Sequence, residues 1–270
     1  MQKDSVLKTL VVAALLCVVC SVLVSGAAVM LKDRQDANKE LDIKKNLLLA
    51  SSLLKNAKAS KDEIEEAYSA IEAVVVNLET GEEAQDIDPQ TFDQKKASKS
   101  ADMGKLIDSS DDVAGIKRRA KYAHAYKYKE DGVMKMLILP VHGKGLWSTM
   151  YGFLALDMDF QTVKGIGFYS HGETPGLGAE IDNPTWKAQW AGKKIYDDEF
   201  AVSLKVIKGS VAKTDSSFAY KIDGLSGATI TSNGVTGLVK YWFGKDGFGP
   251  YLDLQRQAML DASAGVSSNE

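Results

Sequence analysis

The chain has 270 residues, 45% of them hydrophobic, and a formal charge of −3. That length and apolar share suffice for one substantial core, and a near-balanced charge without a basic tract gives nucleic acid no footing. Both cysteines, Cys17 and Cys20, fall in the apolar N-terminal run, so disulfides cannot hold the remainder together.

In chain order, residues 1–9 form a short N-terminal segment expected on the cytoplasmic side. Leu10 to Leu31 is an uncharged stretch of about 22 residues, long enough at helical rise to cross the hydrocarbon of a bilayer. Lys3 and Lys8 ahead of it, and Val24-Ser-Gly-Ala27 near its end, also fit a cleaved signal peptide. The length favours a permanent anchor, because signal-peptide cores run about 7–15 residues. The Cys17-x-x-Cys20 spacing places both sulfurs on one helical face, where they read as small apolar fillers. Lys32, Arg34, Lys39, Lys44 and Lys45 follow the span while only Lys3 and Lys8 precede it, so charge bias alone puts the large domain in the cytoplasm.

Residues 32–112 read as a helical and acidic connecting region. Ile43, Leu47, Leu48 and Leu54 fall at helical spacing, which predicts a helix from Leu41 to about Ala57. A second helix is expected from Lys61 to before Gly81, with Ile64, Ala67, Ile71 and Val74 on one face. Between Glu82 and Asp112 acidic and polar residues dominate around Pro89, a pattern of loops or an interaction surface.

Residues 113–262 carry a strand-rich pattern. Tyr122, His124, Tyr126 and Tyr128 fall on one face with lysines among the residues on the other, and Asp131-Gly132 supplies a hairpin turn. Val133–Leu139, Tyr151–Leu156, Val163–Tyr169, Val202–Ile207 and Phe218–Ile222 read as strands, Asn183–Trp190 as a short helix and Thr231–Phe243 as another. The expected architecture is α+β: a single transmembrane helix, then a soluble domain with a twisted, mainly antiparallel sheet and flanking helices. Residues 263–270 form a tail.

Three stretches carry candidate chemistry. In Asp223-Gly-Leu-Ser-Gly-Ala-Thr-Ile-Thr231, Gly224, Gly227 and Ala228 let another molecule approach the backbone. Thr229, Thr231 and Ser232 lie where unpaired helix amides attract a phosphate, although a plain helix cap explains the same spacing. In His171-Gly-Glu-Thr-Pro-Gly-Leu-Gly178, Pro175 and three glycines break regular structure and favour a turn with exposed amides. In Gly143-Lys-Gly-Leu-Trp-Ser-Thr-Met-Tyr-Gly152, Trp147 is either a core aromatic or the wall of a ligand site. His124, His142 and His171 lack metal-ligand spacing, so no protein-bound metal is expected.

Ser226-Gly227-Ala228-Thr229, with Asp223 three positions earlier, resembles the flavinylation motif of the bacterial FMN-binding domain family. In that family a flavin transferase esterifies FMN through its phosphate to the final threonine. The resemblance therefore implies Thr229 as the covalent site, Ser226, Gly227 and Ala228 as its immediate seat, and Asp223 with Ser226–Thr229 as the transferase's recognition motif. With the other two blocks, nearly the whole chain resembles the NqrC family, the C subunits of the sodium-translocating NADH:quinone oxidoreductases. The G subunits of the Rnf complexes share the His171 and Ser226 blocks, whereas the Trp147 block points to NqrC.

That resemblance implies an electron-transfer subunit of a bacterial inner-membrane complex with its domain in the periplasm, opposite to the charge bias. It further implies that Glu173 and Thr174 hydrogen-bond polar edges of the flavin, that Leu177 covers an apolar part, and that Trp147 and Gly178 belong to the same site. Implied partners are the B, D and E subunits as nearest neighbours, the A and F subunits in the complex, the flavin transferase during maturation, and the membrane, with no nucleic acid. No NADH fingerprint or set of intramembrane carboxylates is present, so NADH oxidation, quinone reduction and sodium conduction fall to partners. A membrane-anchored binding module without redox chemistry is the alternative of another class. A hydrolase using Thr229 or Ser226 lacks a recognisable base.

Overall fold

The computed structural model describes residues 6–267. The rest of the expected N-terminal segment (1–5) and tail (268–270) lies outside them. The chain divides into two compact units, residues 1–43 and 44–270.

The first unit is the bulk of helix α1, Val6–Ala50, whose most apolar window reaches a mean hydropathy of 2.7. It contains the Leu10–Leu31 stretch and is long and apolar enough to cross a membrane. Its leucines and valines from Val6 to Leu31 are exposed all round within the chain. Cys17 and Cys20 are free and exposed on it.

The second unit begins with the last turns of α1, where Leu47, Leu48 and Ala50 are buried. The helix ends there instead of near Ala57. Ser51 Oγ donates back to the carbonyls of Leu47 (2.9 Å) and Leu48 (3.1 Å), and Ser52 takes a positive φ of 60°. Helix α2, Lys61–Tyr68, opens on a capping box: Glu63 N donates to Ser60 Oγ (3.3 Å) and Ser60 N to Glu63 Oε2 (2.6 Å). The helix expected to reach Gly81 stops at Tyr68. Ile71–Asn77 is strand β1, because the β-branched Val74-Val75-Val76 run pairs with a neighbouring strand instead.

The main sheet has five antiparallel strands in the order β1, β4 (Tyr122–Glu130), β5 (Val133–Lys144), β6 (Thr149–Leu156) and β7 (Val163–Ser170). Asp131 and Gly132 join β4 to β5 with φ of 51° and 77°, the primed turn that hairpins favour. Pro140 sits inside β5, two residues beyond the last β4–β5 pair, Tyr126 with Ile138, so its missing N–H costs that ladder nothing.

One face of the sheet bears Ala123, Ala125, Leu137, Leu139, Val141, Leu154 and Ile166. It packs in a single core with Val235, Leu238, Val239 and Trp242 of helix α5, Thr229–Trp242. The opposite face bears Val75, Ile138, Phe153 and Ala155, also buried. Ala50 lies on that face: a Cβ on Gly165 would overlap its carbonyl oxygen, and one on Gly167 would stand 3.0 Å from its Cβ.

The segment Glu82–Asp112, expected as loops, contains the short helix α3 (Gln94–Ala97) and strand β2 (Gly104–Leu106), which pairs with β3 (Arg118–Ala120). It also covers one end of the sheet. Phe92 O contacts His124 Nε2 at 2.9 Å, Gln94 Oε1 accepts from His124 N, and Lys95 sits 4.9 Å over the Tyr151 ring. Beside it the His142 ring stacks 5.3 Å from Tyr151 and lies 4.7 Å from Trp242. The compact unit thus starts at Lys44, and the segment before residue 113 supplies one strand of its main sheet.

Past β7, the expected helix Asn183–Trp190 is the five-residue α4, Pro184–Ala188, capped by Asn183. The strands expected at Val202–Ile207 and Phe218–Ile222 shrink to β8 (Lys205–Val206) and β9 (Lys221–Ile222), paired in parallel, with a 3-10 turn over Phe218–Tyr220. Helix α5 begins at Thr229, two residues before the expected start, and α6, Gly249–Ser267, closes the chain. Small residues let α5 lie against β5 backbone to backbone. A Cβ on Gly234 would overlap the carbonyl oxygen of Lys144, and one on Gly143 would fall 2.7 Å from Leu238 Cβ.

Candidate cofactor site

The loop from β9 to α5 is fixed before its exposed tip. Asp223 N donates to Gln189 Oε1 (3.1 Å), its carbonyl accepts from Trp186 Nε1 (2.8 Å), and its carboxylate accepts from Val211 N (2.7 Å). At the tip Ser226 and Gly227 are exposed, and Gly227 takes a φ of 70° that suits glycine. Thr229 is the first residue of α5. Its N-cap, Ala228, brings no side-chain acceptor to the helix's first amides.

Four hydroxyls surround the helix start, and burial separates them. Thr231 and Ser232 are 1% and 4% exposed; Thr231 Oγ1 donates to Glu173 Oε2 at 2.5 Å and Ser232 Oγ accepts from Leu225 N at 3.1 Å. Ser226 and Thr229 are exposed.

The His171–Gly178 loop runs beside this helix start. Thr174 O accepts from Leu177 N at 3.1 Å around Pro175 and Gly176, whose φ is 74°, the arrangement of a type II turn. His171 Nδ1 accepts from Glu173 N (3.2 Å), which assigns the proton to Nε2, facing Asp182 Oδ2 at 2.7 Å. Ser148 Oγ accepts from Gly172 N (2.6 Å), tying this loop to the Trp147 block.

Trp147 is 66% exposed, which rules out the core alternative; its Nε1 donates to Thr174 Oγ1 at 3.1 Å. Leu177 stands close enough to Gly227 that a Cβ there would lie 2.9 Å from Leu177 Cδ2. With Leu146, Trp147, Leu177 and Ile230 all exposed, the surroundings of Thr229 display large apolar side chains that a soluble surface normally hides.

Glu173 is turned the other way. It is buried, and its carboxylate accepts from Leu146 N (3.2 Å), Trp147 N (3.0 Å) and Thr231 Oγ1 rather than presenting its oxygens at the surface. Burial pushes its pKa up, but the Thr231 hydroxyl and the amides of Trp147, Leu146 and Ser148 outweigh burial and hold it below the ordinary 4.5.

The structure thus gathers Trp147, Thr174, Leu177, Gly178, Gly227 and Thr229 around one helix start, while the Asp223 carboxylate is engaged by Val211 N. Sequence reasoning missed the Glu173–Thr231 pair, 58 residues apart, together with Leu146 and Ile230. The only signal for the pair was two small residues, Gly145 and Gly178, which leave it room.

An exposed hydroxyl at an uncapped helix start, next to exposed apolar side chains, fits a ligand with a phosphate at one end and a flat ring at the other. That is the chemistry of an FMN-binding domain, and the family model of that description matches residues 145–244. Over its length the chain is 45% identical to the C subunit of the Na(+)-translocating NADH-quinone reductase of Pseudomonas aeruginosa, covering 93% of this chain and 96% of that protein. It is 43% identical to the C subunit of the same reductase from Yersinia pestis, covering 96% of each. Among solved structures, NqrC of Shewanella oneidensis superposes with a TM-score of 0.74 at 32% identity, over 82% of this chain and 99% of that one. The corresponding C subunit of Parabacteroides distasonis gives 0.62 at 31% identity, over 82% and 96%. The chain belongs to the NqrC family, the C subunits of the Na(+)-translocating NADH-quinone reductases.

Proposed function

We propose that FMN is joined through its phosphate to Oγ1 of Thr229, and that the chain carries electrons through it as a subunit of a sodium-translocating NADH:quinone reductase. The observation that carries this reading is the sorting of hydroxyls: Thr231 and Ser232 are buried and bonded, while Thr229 stands exposed at the first position of an uncapped helix.

Bound FMN supplies the redox chemistry, and the protein supplies attachment, orientation and electrostatics. The first amides of α5 favour the phosphate's negative charge. Trp147, Leu177 and Ile230 offer apolar surface to the ring. Thr174 Oγ1, held by Trp147 Nε1, keeps its own proton to donate to a polar edge. Ester attachment leaves the ring unsubstituted and removes any dependence on free flavin concentration.

Asp223, Ser226, Gly227, Ala228 and Thr229 form the motif a flavin transferase reads; Ser226, Gly227 and Thr229 are exposed for it. Helix α1 anchors the chain in the bacterial inner membrane, with the domain on the periplasmic side as family likeness argues against the lysine bias. The B, D and E subunits are its nearest partners, with the A and F subunits in the same assembly.

The test is the intact mass of the denatured chain made alongside a flavin transferase, followed by peptide mapping. An FMN ester on the Thr229 peptide, lost in Thr229→Val, is the expected result. An unmodified chain, under conditions that flavinylate a control protein, rejects the reading, and flavin retained in Thr229→Val rejects the site.

A further inference from the structure

Glu173 is 5% exposed, and its two oxygens collect donors from two other segments: Leu146 N at 3.2 Å, Trp147 N at 3.0 Å and Thr231 Oγ1 at 2.5 Å. Space has been left for this arrangement. A Cβ on Gly145 would fall 2.5 Å from Glu173 Oε1, and one on Gly178 would fall 2.8 Å from Oε2 and 2.6 Å from Thr231 Oγ1. A carboxylate alone fits three converging donors, since it only accepts; a glutamine would turn its own N–H groups onto one of them. Thr231 stands two residues after Thr229 in the first turn of α5. One buried group therefore ties the acceptor turn, the Trp147 block and the His171–Gly178 loop together.

We propose that Glu173 is a positioning residue for flavin attachment. By accepting the Thr231 hydroxyl and the amides of Leu146 and Trp147, it fixes the first turn of α5 so that Thr229 is presented to the transferase and Thr231 is withheld. The withholding is twofold, because Thr231 is 1% exposed and its proton is already donated. This inference rests on the reading of Thr229 as the flavin acceptor.

The experiment takes the full chain, purified without flavin, and follows attachment by a flavin transferase as intact mass against time. Glu173→Gln and Thr231→Val should each slow attachment by about tenfold or more, the effect of one lost charge-assisted hydrogen bond. Thr231→Ser restores the hydroxyl and should run within about twofold of the parent. The double variant should be slowed by less than the product of the two single effects, because both substitutions weaken one buried cluster centred on residue 173. Hydrogen exchange at the Leu146 and Trp147 amides should quicken in Glu173→Gln, with thermal melting confirming that each variant is folded.

A folded Glu173→Gln or Thr231→Val flavinylated at the parental rate overturns the proposal, as does a Thr231→Ser as slow as Thr231→Val. If Glu173→Gln does not fold, the two Thr231 variants decide alone. If the parent chain takes no flavin at Thr229, the attachment reading has failed. The positioning contact is then judged on amide exchange, and unchanged protection in Thr231→Val refutes it.

Discussion

Replacing Gly234 with alanine should destabilise the protein, although the same change in an exposed helix stabilises it. Within a helix, glycine is less favourable than alanine by about 1 kcal/mol, so propensity alone predicts a gain. Gly234, however, faces β5 across α5. The added Cβ would overlap the carbonyl oxygen of Lys144 and stand 3.1 Å from Met150 Cε. The methionine end can swing aside, but the carbonyl belongs to a strand whose final pair, Lys144 with Thr149, fixes it. Overpacking of this kind costs about 1–3 kcal/mol, which exceeds the propensity gain over most of that range. The net loss, about 1 kcal/mol at the middle of that range, corresponds for a domain of this size to a melting temperature lower by roughly 2–4 °C. Differential scanning of the full chain in detergent reads it, with Asn233→Ala, the exposed neighbour on the same helix, as the control expected to melt unchanged or higher. A Gly234→Ala protein melting above its parent would refute the backbone contact between α5 and β5.

Burial, helped by Lys95, pushes His142 down to about 4 from an unfolded 6.5. Its folded pKa is depressed, so stability is complete above 6.5 and falls as pH drops from 6.5 towards 4, by up to about 3 kcal/mol. Urea midpoints across that window should show the fall, and His142→Phe should flatten it. The Glu173 carboxylate, also held below its unfolded 4.5, contributes fully above that pH and loses its contribution as acid titrates the folded group, so exchange at the Leu146 and Trp147 amides should accelerate only below 4.5. Trp147→Ala, at an exposed position, should change stability by no more than about 0.5 kcal/mol while raising the fluorescence of attached flavin; unchanged emission would remove the indole from the ring's surroundings.

What the sequence disclosed was local. The Asp131-Gly132 turn, the Tyr122–Tyr128 alternation and the Pro175-Gly176 turn each follow from residues adjacent in the chain, and each stands where those residues put it. Strand β1 was hidden because Ile64, Ala67, Ile71 and Val74 satisfy a helical period, and only pairing with β4 turns the valine run into a strand. Helix α6 escaped because its fully buried residues, Tyr251 and Leu252, crowd its first turn and leave no stripe along it. The Glu173–Thr231 contact joins positions 58 residues apart and leaves no spacing to read. Motif likeness points to Thr229 as the proposed acceptor, but it cannot tell which neighbouring hydroxyls the fold takes out of reach.

Helix α1 changes solvent along its own length. Its apolar residues up to Leu31 are exposed, while Leu47, Leu48 and Ala50 are interior to the second unit, with Ala50 against Gly165 and Gly167. Where such a protein can be cut to give a water-soluble form follows directly. Cleavage between residues 32 and 43 removes the greasy length and leaves the sheet covered, whereas cleavage after residue 52 strips the cover and bares Phe153, Ile138 and their neighbours to self-association. The two cuts differ by fewer residues than the helix itself contains, yet one should yield a monodisperse protein and the other an aggregate.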